Sequence, residues 1–307
     1  MCAAAVLDEC LGLKRSERVV VMSDRGGYEV GRAFWEAATE MCKEAFMALI
    51  SPGRVTTPPE ELLKFWLERA DVAIVNTQNS IQLSSLQEIA SVMPVRIARM
   101  RFTNNEKFIR IMDVDWKRHG LFTRKCAALL GAASLIKVES PEGTDLEFRN
   151  SGRTLMGQYG KIASNGSAER LPAGDAKIIP LEGSVNGRLV LDSSCGNVSD
   201  APLELAELSF KEDLVVRVRG RFSAKEHEKL FGRRGGQSGT VISFSAGTLA
   251  SAGVDGCLHE ARLARGTVNF EYSFYLPGGE RQGFCAVIRR PSVWLDGRLW
   301  IDRGNYV

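Results

Sequence analysis

Arg217, Arg219 and Arg221 recur at every second position of VVRVRGRF, so a strand there would turn all three guanidinium groups to one face. Guanidinium forks pair with carboxylates in two-pronged fashion, which makes such a face either a solvated sheet surface or a cationic groove for an acidic ligand. Lys225, Lys229, Arg233 and Arg234 follow closely. A second concentration is aromatic. Phe270, Tyr272, Phe274 and Tyr275 in VNFEYSFYL belong either to a packed core strand or to a surface that holds a peptide through large amphipathic side chains. Imidazole, by contrast, is scarce. His119 follows Lys117-Arg118, and His227 sits among Lys225, Glu226, Glu228 and Lys229, so both are expected at solvated positions. His259, beside Glu260, could join Asp255 and Cys257 around a metal, although one turn supplying a whole site is unusual.

Nucleophile and phosphate chemistry have thin support. GQSGT at 236–240 lacks the spacing of a nucleophile elbow and has no histidine nearby in sequence. SDRGGYEVGR carries glycines near a helix start but no G-x-G-x-x-G, and is expected to be a turn. The cysteines (Cys2, Cys10, Cys42, Cys126, Cys195, Cys257 and Cys285) number seven, an odd count, and form no C-x-x-C pair. A disulfide framework and a structural zinc site are therefore not expected; reduced, mostly buried thiols in a cytoplasmic protein are.

The secondary structure that carries these residues is expected to fall into two parts. A chain of 307 residues exceeds what one core usually serves. Its 44% hydrophobic and 25% charged content is ordinary for a globular protein. A net charge of +3 gives no reason to expect nucleic acid or a membrane surface as partner, and no apolar run reaches spanning length. The start lacks a basic region before Asp8 and Glu9, so no cleaved signal peptide is expected.

In the first half, strands at Arg18–Ser23, Asp71–Asn76 and Val95–Arg99 alternate with helical patterns. The helices are expected from Tyr28 to about Leu49, from Pro58-Pro59 through Leu67, over Ser80–Ser91, and over Asn105–Met112. A long helix from Lys117 to about Gly131 closes this part. Strands and glycine turns follow: Leu146–Phe148, Lys177–Ile179, Arg188–Leu191, Leu214–Phe222, Gly239–Phe244, Thr267–Leu276 and Gly283–Arg289, with a helix at Ala224–Phe231 and a hairpin at Asp296-Gly297. The fold class is α/β: a doubly wound parallel-sheet domain over 1–133, then a mixed α+β domain over 134–307.

One block is specific. LPAGDAKIIPLEGSVNGRLVLD, from Leu171 to Asp192, resembles the T-type metallo-aminopeptidases and the related ring-cleaving 2,5-dihydroxypyridine dioxygenases. CLGLKRSERVVVMSD, SPEGTDLEF with Gly152-Arg153, RGTVNF and RRPSVWLDG resemble further blocks at similar spacing. The resemblance implies an aminopeptidase T-like second domain whose cleft holds a metal on carboxylates and imidazoles, and association into a homo-oligomer.

At the positions where the resemblance places ligands, this chain departs from the pattern. The first glutamate falls on Asp175, shorter by about 1.5 Å of reach. The second falls near Ser243, the histidine on Asn269, and the terminal His-x-Asp on Gly283-Phe284-Cys285, while Tyr272 and Tyr275 are counterparts of a family tyrosine. One acid, one amide and one thiol meet neither a zinc or cobalt inventory nor the two histidines and carboxylate of a non-haem iron oxygenase. Losing such ligands forfeits most of a binding free energy on the order of 10 kcal/mol.

The expectation is thus no cofactor and a non-catalytic protein that binds a peptide ligand, one with acidic character if the arginines take part. Asp175, Arg217, Arg219, Arg221, Ser243, Asn269, Tyr272, Tyr275 and Cys285 are its candidate binding residues, and a precursor peptide of a ribosomal natural-product pathway, recruited to modifying enzymes, is the envisaged setting. The rivals are a metal-dependent aminopeptidase or dioxygenase with a rearranged site, and a metal-free enzyme with Cys285 as nucleophile.

Overall fold

The structure, a computed structural model, describes residues 2–50, 60–78, 81–191, 193–196, 206–219, 240–254, 257–275 and 281–307. Arg221, His227, the helix expected at 224–231 and most of GQSGT lie outside the described residues, as does Asp255. The chain forms two compact units, 1–120 with 158–173, and 121–157 with 174–307.

The first unit is built on five parallel strands in the order β2-β1-β3-β4-β7: β1 Arg18–Asp24, β2 Glu44–Ile50, β3 Val72–Asn76, β4 Arg96–Met100 and β7 Ser167–Arg170. β3 and β4 are buried along their whole length, as strands covered on both faces must be. Helices α3 (Glu60–Leu67) and α4 (Leu83–Ser91) pack Leu63, Leu67, Leu86 and Ile89 against Val20, Met22, Ala73, Val75 and Ile97. On the opposite face α2 (Tyr28–Met41) buries Val30, Phe34 and Ala38, and Phe34 meets Phe108 of α5 (Asn105–Met112) with ring centroids 5.3 Å apart. Asn104 caps α5 by accepting from Lys107 N at 3.0 Å. The chain opens with a short helix, α1 (Cys2–Ala5), and a π-helical turn at Val6–Cys10.

The helix expected from Tyr28 to Leu49 stops at Met41, because Cys42 turns extended and Glu44–Ile50 enters the sheet as β2. The apolar residues of AFMALI fit an edge strand as well as a helix stripe, and the sheet decides. β7 was not expected either. It returns the chain to the first sheet after the second unit has begun, so its path is not the linear division at residue 133. His119, expected in solvent, is 7% exposed: its Nε2 lies 3.1 Å from Ala173 O and its ring stacks edge-on to Trp116.

Among the described residues the second unit has thirteen strands: β5 Leu135–Glu139, β6 Asp145–Gln158, β8 Asp175–Pro180, β9 Asn186–Leu191, β10 Ser193–Gly196, β11 Ala206–Lys211, β12 Leu214–Arg219, β13 Thr240–Gly247, β14 Val268–Tyr275, β15 Arg281–Ile288, β16 Ser292–Leu295, β17 Arg298–Asp302 and β18 Asn305–Tyr306. Their order is β10-β15-β14-β13-β8-β6-β5-β16-β17-β18, with β9, β11 and β12 branching successively from β6. The core gathers Ile136, Phe148, Ile178, Phe244, Phe270, Tyr272 and Ile288, together with Leu130 of α6 (Trp116–Ala132). The Asp296-Gly297 hairpin forms as expected between β16 and β17. Both residues have positive φ, 49° and 79°, as a two-residue turn matching sheet twist requires. β6 runs far beyond the expected Leu146–Phe148, and β10 and β11 were not anticipated.

Candidate functional site

Side chains alternate across a strand, so register decides which residues share a face. β13 pairs with β14 as Ser243↔Glu271 and Ser245↔Asn269, with β8 as Ser245↔Lys177 and Gly247↔Asp175, and β14 pairs with β15 as Glu271↔Cys285. Asp175, Lys177, Ser243, Ser245, Asn269, Glu271, Ser273 and Cys285 therefore share one face. The residues between them, Ala176, Ile178, Phe244, Ala246, Phe270, Tyr272 and Ala286, face the core. Four antiparallel strands thus lay a polar surface directly over an apolar one.

An ion-pair network organises that surface. Arg262, at the C-cap of α7 (Leu258–Ala261), reaches Glu271 Oε1 at 3.3 Å and Asp175 Oδ2 at 3.8 Å. Lys177 Nζ pairs with Glu271 Oε2, to which Ser243 Oγ also donates at 2.9 Å. Beneath them Ser245 Oγ donates to Asn269 Oδ1 at 2.8 Å, and Asn269 Nδ2 donates to Arg262 O at 3.3 Å, tying the arginine's own backbone to the strand. Cys285 Sγ stands 3.9 Å from Asn269 Oδ1. The loop that carries Arg262 is itself fixed, since Glu260, 2% exposed, accepts from Gly253 N at 2.8 Å.

Depth separates floor from rim. Asp175, Ser243, Ser245 and Asn269 are at most 3% exposed, whereas the side chains of Lys177, Glu271 and Arg262 retain 21%, 23% and 18%. Burial would push the Glu271 carboxyl up, but the Lys177 ammonium and the Arg262 guanidinium outweigh it and hold the group below the usual carboxylate range. Burial likewise opposes charge on Arg262, and Asp175, Cys285 and Glu271 overcome it to raise its pKa.

The sequence-derived candidates divide accordingly. Asp175, Ser243, Asn269 and Cys285 come together on this face. Tyr272 does not: it is wholly buried on the other face, against Phe210 at 6.5 Å, and burial drives its phenol pKa well up. Tyr275 ends β14, one position off the Asn269–Glu271–Ser273 alternation, and its side chain lies outside the described residues. Arg217 and Arg219 are exposed on β12, with β11, β9 and β6 intervening before β8. They stand opposite Ser209 and Glu207 of β11 rather than beside Asp175. Arg262, Lys177 and Glu271 were missed. Period-two alternation from Asn269 to Glu271, and from Asp175 to Lys177, was the available signal; Arg262 had none, since a loop delivers it.

The thiols also differ from expectation. Among the six cysteines whose side chains are described only Cys10 and Cys126 are buried; Cys2, Cys42 and Cys285 are half-buried and Cys257 is exposed. Burial raises the thiol pKa of Cys2 and of Cys126 to about 11.

A sequence profile of the 2,5-dihydroxypyridine 5,6-dioxygenases matches residues 2–244. The chain belongs to that family. Two solved structures share its fold. The 2,5-dihydroxypyridine dioxygenase from Pseudomonas putida KT2440 superposes with a TM-score of 0.75 at 18% identity, covering 100% of this chain and 96% of that one. Wild-type AmpT, the aminopeptidase T of Thermus thermophilus, does so with a TM-score of 0.67 at 14% identity, covering 100% and 98%. No curated protein sequence matches the chain.

The metal cleft that the sequence resemblance implies raises the question of whether this family member's residues fit a metal. On this face they do not. The two carboxylates, Asp175 and Glu271, already bracket the Arg262 guanidinium, and Lys177 holds the remaining Glu271 oxygen. A divalent ion would meet two fixed positive charges, with one amide and one thiol as its further donors. Among the described residues no group of three or more His, Cys, Asp or Glu side chains could hold a metal ion, and no helix is long and apolar enough to cross a membrane.

Proposed function

We propose that this family member is a non-catalytic binding protein that holds a peptide over the polar face of β8, β13, β14 and β15. The observation that carries the reading is Arg262 bridging Asp175 and Glu271, which puts an internal cation where the family resemblance locates a metal. Without a Lewis acid or an imidazole, the face offers paired charges at its rim and hydroxyl and amide groups at its floor. Those groups suit the backbone and charged side chains of a bound segment. The strand edge at β12 supports the same ligand class. Among the described residues β12 pairs with β11 alone, and it exposes Leu214, Val216, Arg217 and Arg219. Such an edge accepts an extended chain, and its arginines favour an acidic one. Presentation of a precursor peptide to modifying enzymes is the role this reading implies.

Calorimetry with a panel of acidic, neutral and basic peptides tests it. Saturable heat is expected with acidic peptides, weakened at least about tenfold by Lys177→Gln, which removes a cation from the rim, a change worth about 1.4 kcal/mol. No saturable heat with any peptide would count against the reading. Family membership and the TM-score of 0.75 favour a second reading, a metal-dependent ring-cleaving dioxygenase or aminopeptidase. Turnover of a dihydroxypyridine or an aminoacyl peptide that is lost in Asp175→Asn would establish it instead.

A further inference from the structure

The carboxyl edge of the first unit's sheet holds a separate group of polar side chains. β2 lies on one side of β1 and β3 on the other, so the strand order reverses between β1 and β3. In open α/β sheets the crevice outside such a reversal is where ligands bind. The register Ser23↔Asn76 places Asp24 level with Thr77, and Val75↔Arg99 places Arg99 beside them on β4. By alternation Asp24, Val75, Thr77 and Arg99 share one face, the face that carries Val20, Met22 and Ile97 lower in the sheet.

Two polar atoms at this edge are buried without a hydrogen-bond partner among the described residues: Thr77 Oγ1, on a residue that is 0% exposed, and Gln78 Nε2. Buried polar groups are rarely left unpaired, and two consecutive ones beside a ligand crevice call for an occupant. The neighbouring carboxylate does not serve them. Asp24 is engaged by backbone, accepting from Gly27 N at 2.9 Å and from Gln78 N at 2.6 Å. Arg99 is only 2% exposed yet makes no ion pair among the described residues. It donates to the carbonyls of Ile81 at 3.0 Å and of Val75 and Gln78 at 3.5 Å, and to that of Met100. Arg170 stands opposite it on β7. Burial first, then Arg101 and Arg170, lower its pKa to about 10 against the pull of Asp24, a sign of uncompensated positive charge. Gly26 is exposed at the mouth, where a Cβ would meet Thr103 at 3.6 Å and Gln78 at 3.7 Å.

We propose that this crevice binds the phosphate group of a small soluble molecule, with Thr77 Oγ1 and Gln78 Nε2 as donors and Arg99 and Arg101 supplying the positive field. The chemistry selects the ligand. Gln78 Nε2 and the guanidinium groups only donate, so the matching partner is rich in acceptors and negatively charged. Asp24 would repel it, but its two oxygens already accept from backbone N–H groups and Arg99 lies within its electrostatic reach.

The full chain can be followed by thermal unfolding and by amide NMR while sodium phosphate replaces sodium chloride at constant ionic strength. The wild type is expected to show a saturable rise in midpoint and shifts at the Thr77 and Gln78 amides. Thr77→Val keeps the volume and loses no protein hydrogen bond, so it should unfold at or above the wild-type midpoint without phosphate. Its affinity for phosphate should nevertheless fall at least about fivefold, the worth of one hydrogen bond of about 1 kcal/mol. Arg101→Ala should weaken the response as well. Adenosine monophosphate binding more tightly than inorganic phosphate would assign the group to a nucleotide; equal binding would assign it to free phosphate. No saturable response to either probe, or a Thr77→Val response equal to the wild type's, would overturn the site and leave water as the occupant.

Discussion

The two sheets place their polar chemistry differently. In the first unit the strands are parallel and the three central ones, β1, β3 and β4, are buried on both faces, so polar groups collect where these strands end: Ser23 and Asp24, Asn76 and Thr77, Arg99. Asn76 illustrates the use of such a position. Its amide donates to Gly27 O at 3.0 Å and Phe102 O at 2.9 Å and accepts from Phe102 N at 2.8 Å, tying the loops after three strands. In the second unit the strands are antiparallel with one apolar face, so polar groups spread along mid-strand positions of β8, β13, β14 and β15. An end-of-strand group can be changed with local consequences, whereas a mid-strand group is braced by its cross-strand neighbours. Each unit also buries a charge pair. Arg96 meets Glu17 at 2.7 Å in the first, with side chains 6% and 13% exposed, and Arg262 serves two carboxylates in the second.

That difference orders the expected mutational effects. Arg262→Leu should be the most damaging, about 3–5 kcal/mol by urea denaturation, because it strands Asp175 and part of Glu271 without a counter-charge. A loss below about 1 kcal/mol would mean the carboxylates find water or another cation. Tyr272→Ala should cost a similar ~3–5 kcal/mol through the cavity it leaves, while Tyr272→Phe leaves peptide binding unchanged. If Tyr272→Phe abolished binding instead, the hydroxyl would belong to the site and the face assignment would be wrong. Glu17→Gln should cost about 1–3 kcal/mol, less than the Arg262 change, because Arg96 keeps Leu11 O and Asn165 Oδ1 as acceptors at 2.9 Å. Arg217→Ala with Arg219→Ala should stay within about 0.5 kcal/mol, as exposed positions do.

Acid should weaken both buried charge pairs. The Glu271 pKa is lowered in the folded state, so its contribution is fully present above its ordinary value of 4.5 and is lost as pH falls through the lowered one. Glu17 behaves in the same sense: burial raises it, and Arg96 and the Lys14 N–H more than offset that. Urea midpoints measured from pH 7 downward should fall in the acid limb for the wild type and fall less for Glu271→Gln. Identical slopes would show that Glu271 is not held by its cations.

Much of this was legible in the chain. The buried strands of the first unit stand out as continuous apolar runs, RVVVMS and DVAIVN, which need no partner to be recognised. The resemblance placed Asp175, Ser243, Asn269 and Cys285 in one cleft, and the register brings them to one face. Glu44–Ile50 was misread because its apolar residues satisfy both a helical and a strand period, and only pairing to β1 separates them. Tyr272 was misassigned because aromatic character is visible in sequence while the face of a strand is not; the polar neighbours Asn269 and Glu271 already marked the opposite side. Arg262 was invisible for a different reason: a loop brings it to the carboxylates, and no periodicity records that.

On our proposal Arg262 occupies the place of a metal cation between Asp175 and Glu271. Elemental analysis of the protein purified without chelator and then offered zinc, cobalt and ferrous iron tests it most directly. Far less than one equivalent of any of them is expected, with Asp175→Asn making no difference. About one equivalent, tightly held and lost in Asp175→Asn, would contradict it.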